Sequence, residues 1–281
     1  MAIVLDGKKC AQKVHEECIQ KVNQLKKKNV IPRLVVILVG DDKASQVYVR
    51  NKERVAKKVG IETETIILDA TTTEEELLQL IETYNGDPTC HGILLQSPVP
   101  RHINESRCLT AIDYRKDVDG FHPYNVGLVA TNNPGMMPCT PFGIIRLLHE
   151  YQIDLAGKHA VIIGRSNIVG KPMAQLLLAE NATVTICHSK TENVKQMAQQ
   201  ADILIVATGK SEWITPDYVK EGAVVVDVGM NRSDHGLTGD VSPEVMGKAS
   251  YMTPVPGGVG PMTIAMLMLQ TILAAEEQTE S

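Results

Sequence analysis

Seven short runs rich in Val, Ile and Leu, most of them bounded by Gly, Pro, Asp or Asn, alternate with longer stretches of helical spacing. That alternation constrains the fold more than any other feature of the chain. The runs are Arg33 to Val39, Glu64 to Leu68, Gly92 to Gln96, His159 to Ile163, Ala182 to Cys187, Asp202 to Ala207 and Ala223 to Val228. Near-continuous apolar character over so few residues suits strands buried on both faces. Helical spacing covers Lys8 to Lys28, Ser45 to Val59, Thr73 to Tyr84, Met173 to Glu180 and Asn193 to Gln199. Strand, helix and strand in succession build parallel sheets joined by right-handed crossovers. The expected class is α/β.

The rhythm breaks once, at Asn132-Asn133-Pro134-Gly135-Met136-Met137-Pro138-Cys139-Thr140-Pro141, where three prolines and a glycine fall within ten residues. With 281 residues the chain is long enough for two domains. The expected division is 1–138 and 139–261. Phe142 to Tyr151 reads as the helix that opens the second half. The last helical stretch, Met262 to Glu276, has no strand to lead into, so residues 262–281 are expected to pack back on the first domain. A content of 43% hydrophobic and 22% charged residues is that of a globular protein and excludes a disordered chain. A net charge of −5, with no basic cluster beyond Lys26, Lys27 and Lys28, argues against nucleic acid as a partner. Unbroken apolar runs reach only six residues, at Leu34 to Val39 and Ile264 to Leu269, so no membrane span is expected. Asp6, Lys8 and Lys9 stand where a signal peptide would be apolar, which points to the cytoplasm. The six cysteines form no Cys-x-x-Cys pair; they are expected to be free thiols, and no metal site is expected.

The fourth run leads directly into Gly164-Arg165-Ser166-Asn167-Ile168-Val169-Gly170-Lys171-Pro172, after which a helical pattern begins. Strand, glycine turn and helix is a phosphate-binding arrangement, because small residues admit a pyrophosphate close to the backbone and a helix N-terminus offers N–H groups. Gly170-Lys171 does not make an ATP loop: five residues instead of four separate the glycines, and Pro172 replaces the hydroxyl residue that would hold magnesium. Ser166 in the second glycine position and one additional residue before Gly170 also depart from Gly-x-Gly-x-x-Gly. An NAD site places a carboxylate at the end of the next strand, but here that strand ends Cys187-His188-Ser189-Lys190. Arg165, Ser189 and Lys190 instead suit a 2′-phosphate, which makes NADP the expected cofactor.

In the first half, Tyr48 and Lys52 lie four residues apart and share one face of a helix, an arrangement that an ordinary solvated face also produces. Tyr-x-x-x-Lys also occurs in short-chain dehydrogenases, but there it follows the nucleotide loop, whereas here it precedes it. Gln96 ends the third run, at the strand end where open α/β sheets bind ligands. Lys116-Asp117-Val118-Asp119-Gly120 reads either as a turn or as a pair of functional carboxylates. Pro254-Val255-Pro256-Gly257-Gly258-Val259-Gly260-Pro261-Met262-Thr263 forms a tight loop before the last helix.

In this order, Tyr-Val-x-x-Lys, Lys-Asp-Val-Asp-Gly, Gly-Arg-Ser-x-x-Val-Gly-Lys-Pro and Pro-Gly-Gly-Val-Gly-Pro-Met-Thr resemble the bifunctional methylenetetrahydrofolate dehydrogenase and methenyltetrahydrofolate cyclohydrolase family, from Tyr48 to Thr263. The resemblance implies a homodimer in which an N-terminal α/β domain binds folate and a Rossmann-like domain binds NADP around a cleft. It makes Lys52 the central cyclohydrolase residue, with Tyr48 stacking on the pterin, Gln96 tuning the lysine and Asp119 anchoring the pterin. Pro256, Gly257, Gly258 and Pro261 fall in the substrate loop, and Gly164, Arg165, Ser166, Ile168, Ser189, Thr208, Gly209 and Met230 at the cofactor. Ser97, where leucine is usual, and Met230, where isoleucine is common, depart from the family pattern. The implied setting is one-carbon folate metabolism feeding purine synthesis. Two other readings are a dehydrogenase that lacks the hydrolase activity and a dinucleotide-sensing module without turnover.

Overall fold

The computed structural model describes residues 1–133, 135–233 and 236–280; Pro134, within the expected boundary segment, and Ser281, at the end of the expected C-terminal helix, lie outside the described residues. In chain order the elements are β1 (Ile3–Val4), α1 (Gly7–Lys27), β2 (Arg33–Val39), α2 (Lys43–Val59), β3 (Glu62–Leu68), α3 (Glu74–Asn85), β4 (Gly92–Leu95), α4 (Glu105–Ala111), α5 (Pro123–Ala130) and α6 (Cys139–Glu150). They continue with β5 (His159–Ile163), α7 (Gly170–Ala179), β6 (Thr183–Cys187), α8 (Val194–Ala198), β7 (Ile203–Val206), β8 (Val224–Asp227), β9 (Asn231–Ser233), β10 (Gly236–Thr238), β11 (Tyr251–Met252) and α9 (Val259–Glu280). All seven expected strands form.

The chain forms two compact units, each built on a parallel sheet. One holds Met1–Ala11, Val129–Asn133 and Thr140–Thr263 around six strands in the order β1-β11-β8-β7-β5-β6. Its core joins Val161 and Ile163 of β5, Leu204 and Val206 of β7 and Val225 of β8 to Ile214 and Val245. The other holds Gln12–Leu128, a short stretch ending at Cys139, and the chain from Ile264 onward, around three strands in the order β3-β2-β4. There Val35, Ile37 and Val39 of β2 pack with Ile93 and Leu95 of β4 and Leu77 and Ile81 of α3.

The division differs from 1–138 and 139–261 at both ends. The first eleven residues belong to the six-stranded unit, because Ile3 and Val4 pair in parallel with Tyr251 and Met252. Cys139 belongs to the three-stranded unit, where its Sγ donates to Val118 O at 3.3 Å. The helix that follows the proline segment begins at Cys139, ahead of the expected Phe142. The last helix begins at Val259, and from Ile264 it belongs to the three-stranded unit. Over Val259–Thr279 it is long and apolar enough to cross a membrane, yet 61% of that window is buried inside the protein, as befits a core helix.

Candidate functional site

Lys52 owes its place to a well-delimited helix. Asp42 caps the N-terminus of α2 by accepting from Ser45 N at 2.7 Å, and Gly60 ends the helix in the left-handed region at φ 87°. One turn apart on this helix, Tyr48 and Lys52 are both half-buried. The Nζ of Lys52 donates to Gln96 Oε1 at 3.0 Å. Gln96 follows β4 directly, tied to β2 by its N–H to Ile37 O at 2.8 Å, and its Nε2 donates to Ser97 O at 2.8 Å. The second bond fixes the amide so that its carbonyl oxygen faces the amine. The Ser97 hydroxyl donates to Glu105 Oε1 at 2.7 Å.

Asp119 reaches the same place through its own motif. Ile93 of β4 bridges in parallel to Asp117, with Ile93 N donating to Lys116 O at 2.8 Å, so this segment runs beside β4 toward the end where Gln96 stands. Lys116, 5% exposed, donates from Nζ to the carbonyls of Tyr84, Asn85 and Asp87 at 2.9, 2.9 and 2.7 Å. Asp117, 1% exposed, accepts from Phe121 N, His122 N and Asn125 Nδ2 at 3.2, 2.8 and 2.8 Å. Gly120 turns at φ +73°, where a Cβ would lie 2.3 Å from the carbonyl carbon of Met137. Three residues of the motif therefore hold the loop, and Asp119 is left to face Lys52.

Electrostatics at this point favour neutral groups. Burial lowers the pKa of Lys52 below that of an ordinary lysine even against the charge of Asp119 and the thiol of Cys139. Burial likewise raises Asp119, partly offset by Lys52 and by a hydrogen bond from the Cys139 thiol. An amine whose charged form burial disfavours is suited to take up and return a proton as a general base and acid. Cys139 and Gln270 escaped sequence reading. Gln270, 1% exposed on α9, donates through Nε2 to Val118 O, Met137 O and Cys139 Sγ at 2.8, 2.7 and 3.3 Å, and its Oε1 accepts from Met137 N at 2.6 Å. The available signal was a polar Gln270-Thr271 pair directly after the apolar run Ile264 to Leu269.

The other predicted residues stand in the six-stranded unit. Strand order reverses at β5, with β6 on one side and β7 on the other, and ligands of open parallel sheets bind beyond the strand ends at such a point. Gly164 takes φ +132°, and a Cβ there would come within 2.2 Å of Ala207 O, so only glycine lets the turns after β5 and β7 approach this closely. The N-terminus of α7 differs from expectation. Ser166 Oγ accepts from Val169 N and Gly170 N at 3.1 and 3.4 Å, Ser166 O accepts from Lys171 N at 3.1 Å, and Pro172 has no N–H. The helix end is thus capped from within. The exposed turn from Arg165 to Ile168, whose amides donate to no group among the described residues, is what faces outward.

Ser189 and Lys190 stand exposed beyond β6, with no carboxylate at its end. Beyond β7, Thr208 N and Gly209 N donate to Asp240 Oδ2 at 2.6 and 2.9 Å. The fully buried Asp240 in turn donates through its N–H to Asp227 Oδ1 at 2.9 Å. Met230 is 46% exposed after β8. A glycine-lined turn, outward amides and cations without a competing carboxylate fit a dinucleotide bearing a third phosphate. Pro256, Gly257, Gly258 and Pro261 belong to this unit too, and Gly257 O accepts from Lys8 N at 3.2 Å. A Cβ on Gly7 would lie 1.7 Å from Gly258 O, so this backbone contact demands glycine.

Comparison with known proteins identifies the family. The profile described as tetrahydrofolate dehydrogenase/cyclohydrolase, catalytic domain, matches residues 5–119, and that of the NAD(P)-binding domain matches residues 138–279. A protein of Streptococcus uberis named bifunctional protein FolD is 58% identical over 284 residues, covering all of both chains. A bifunctional FolD enzyme of Campylobacter jejuni superposes with a TM-score of 0.97 at 50% identity over 99% of each chain. The Trypanosoma brucei dehydrogenase-cyclohydrolase, solved with NADP cofactor and an inhibitor, superposes with a TM-score of 0.95 at 35% identity, covering 100% of this chain and 99% of that one. On the strength of both domain profiles and of full-length relatives, the chain belongs to the tetrahydrofolate dehydrogenase/cyclohydrolase family.

Proposed function

We propose that this protein oxidises 5,10-methylenetetrahydrofolate with NADP to 5,10-methenyltetrahydrofolate and then hydrolyses that product to 10-formyltetrahydrofolate. The carrying observation is the Lys52 amine, held by Gln96 and set near Asp119 where burial favours its neutral form. NADP, when bound, supplies the acceptor for the hydride leaving the one-carbon bridge. In that step the two flanking substrate nitrogens stabilise the resulting cation, so the protein's part is alignment. Gly164, Arg165, Ser166, Ile168, Ser189, Thr208, Gly209 and Met230 are assigned to the dinucleotide, and Tyr48, Asp119 and the Pro256 to Pro261 loop to the folate.

Hydrolysis asks more of the chain. Water adds to the methenyl carbon as the Lys52 amine accepts one of its protons. The bond from that carbon to N5 then breaks, N5 gains a proton, and the adduct's hydroxyl loses one as the formyl carbonyl forms. One proton is released overall. The Lys52 arrangement favours this bifunctional reading over a dehydrogenase alone, which has no use for a tuned amine. The burial of all six cysteines supports a reducing cytoplasm, and the open edge at β3, with Ile67 62% exposed, supports a homodimer. The product suits purine synthesis.

Lys52→Met is expected to lower methenyltetrahydrofolate hydrolysis at least ~100-fold, with hydride transfer reduced far less. Stopped-flow absorbance from each substrate measures both steps. Equal loss of the two activities would remove Lys52 from the hydrolytic role.

A further inference from the structure

We propose that Gln270 is a positioning residue for hydrolysis: its amide clamps the Val118 and Met137 backbones together so that Asp119 and Cys139 face Lys52. The proposal rests on the reading of Lys52 given above. Three segments distant in sequence meet at this one side chain. Val118 immediately precedes Asp119, Met137 lies two residues before Cys139, and Gln270 stands on α9. Its four contacts, between 2.6 and 3.3 Å, leave both ends of the amide engaged with a fixed orientation.

The thiol shows what the clamp accomplishes. Cys139 has one S–H hydrogen and two acceptors in reach, Val118 O at 3.3 Å and the carboxylate of Asp119. Gln270 Nε2 donates to that same Val118 oxygen over a shorter distance, 2.8 Å. Because the amide already satisfies that carbonyl, the single thiol hydrogen is shared between Val118 O and Asp119 instead of being committed to Val118. Removing the amide returns the thiol to Val118 and lets the two backbone segments separate, which loosens the carboxylate relative to Lys52. The charged or titratable groups facing Asp119 are Lys52 from α2, Cys139 from α6 and Asp117 from its own loop. Gln270 itself does not titrate, so its influence on the pH profile has to pass through these groups.

The test uses the full-length enzyme with Gln270→Met, which keeps the side chain's length and abolishes its hydrogen bonds. Thermal melting establishes that the variant is folded. Methenyltetrahydrofolate hydrolysis is then followed across pH, with the KM for NADP measured in the dehydrogenase assay. The expected result is a hydrolytic kcat lowered about tenfold or more and a displaced pH limb, with the KM for NADP within about twofold of the parent. Unchanged kcat and pH profile in folded Gln270→Met would overturn the proposal, as would equal changes in every constant. If that variant does not fold, Gln270→Asn replaces it: one methylene shorter, it cannot span both backbone segments, and the same outcomes decide. Lys52→Met is assayed alongside. Should it retain hydrolysis, the underlying reading of Lys52 fails, whatever Gln270 does.

Discussion

Arg165 stands exposed on the turn after β5, at the same end of the parallel sheet as Ser189 and Lys190 beyond β6. A guanidinium bonded to a phosphate contributes about 1.5 to 3 kcal/mol, or roughly 10- to 100-fold in affinity. Arg165→Ala is therefore expected to raise the KM for NADP by that factor and to leave the KM for NAD within about twofold. An unchanged ratio of the two constants would remove Arg165 from the 2′-phosphate. At this scale the sequence was informative where a reactive side chain sits on an amphipathic helix, at a strand end or in a recognisable turn motif, as Lys52, Gln96 and Asp119 do in that order. It was silent about Gln270 and Cys139, which meet each other and, for Gln270, the Val118 and Met137 backbones across more than a hundred residues, because no local spacing encodes such a contact. Ser166 taught a different lesson. Its hydroxyl explains the missing second glycine, since it caps the helix that a glycine would have left open.

Elements are held where the motif residues tie them. Helix α3 begins with a capping box between Thr73 and Glu76, and its C-terminal carbonyls converge on the Lys116 ammonium. Lys116→Met would leave three carbonyls without their shared donor, at a cost of about 2 to 4 kcal/mol. Urea unfolding monitored by circular dichroism is expected to show that loss, and a change below about 0.5 kcal/mol would mean that other groups satisfy those carbonyls. The long strands and helices were legible because each repeats its period several times. The pairs β1 with β11 and β9 with β10 were not, being only two or three residues long, too short for a period to register. That is also why the sequence groups the first eleven residues with the three-stranded unit, whereas their contacts lie in the six-stranded one. Their sheet partner, Tyr251 and Met252, lies near the far end of the sequence.

For the molecule as a whole, stability depends on pH through carboxyl groups buried in both units. Burial pushes Asp117 up to about 7 and Asp227 up to about 6. An unfolded aspartate releases its proton near pH 4, whereas these remain protonated in the folded chain. Their contribution is fully present below about pH 4 and is lost as pH rises toward about 7. His15 and His91, lowered by burial, act in the opposite sense, since the unfolded chain protonates them first as pH falls below about 6.5. Asp117→Asn removes one of the opposing contributions. The loss from its missing acceptor oxygen is expected to shrink, relative to the parent, by about 1 to 2 kcal/mol, or several degrees in melting temperature, as pH rises from about 5 to about 7. A difference that does not vary with pH would show that Asp117 gains no proton on folding. The terminal helix carries one more consequence. Because Gln270 and the part of α9 from Ile264 onward complete a unit that begins at Gln12, the early-synthesised stretch from Gln12 to Leu128 waits on the ribosome with its interior open. Closure of that half is therefore timed by the exit of α9 from the ribosomal tunnel, and until then its apolar face lacks the helix that covers it in the folded unit.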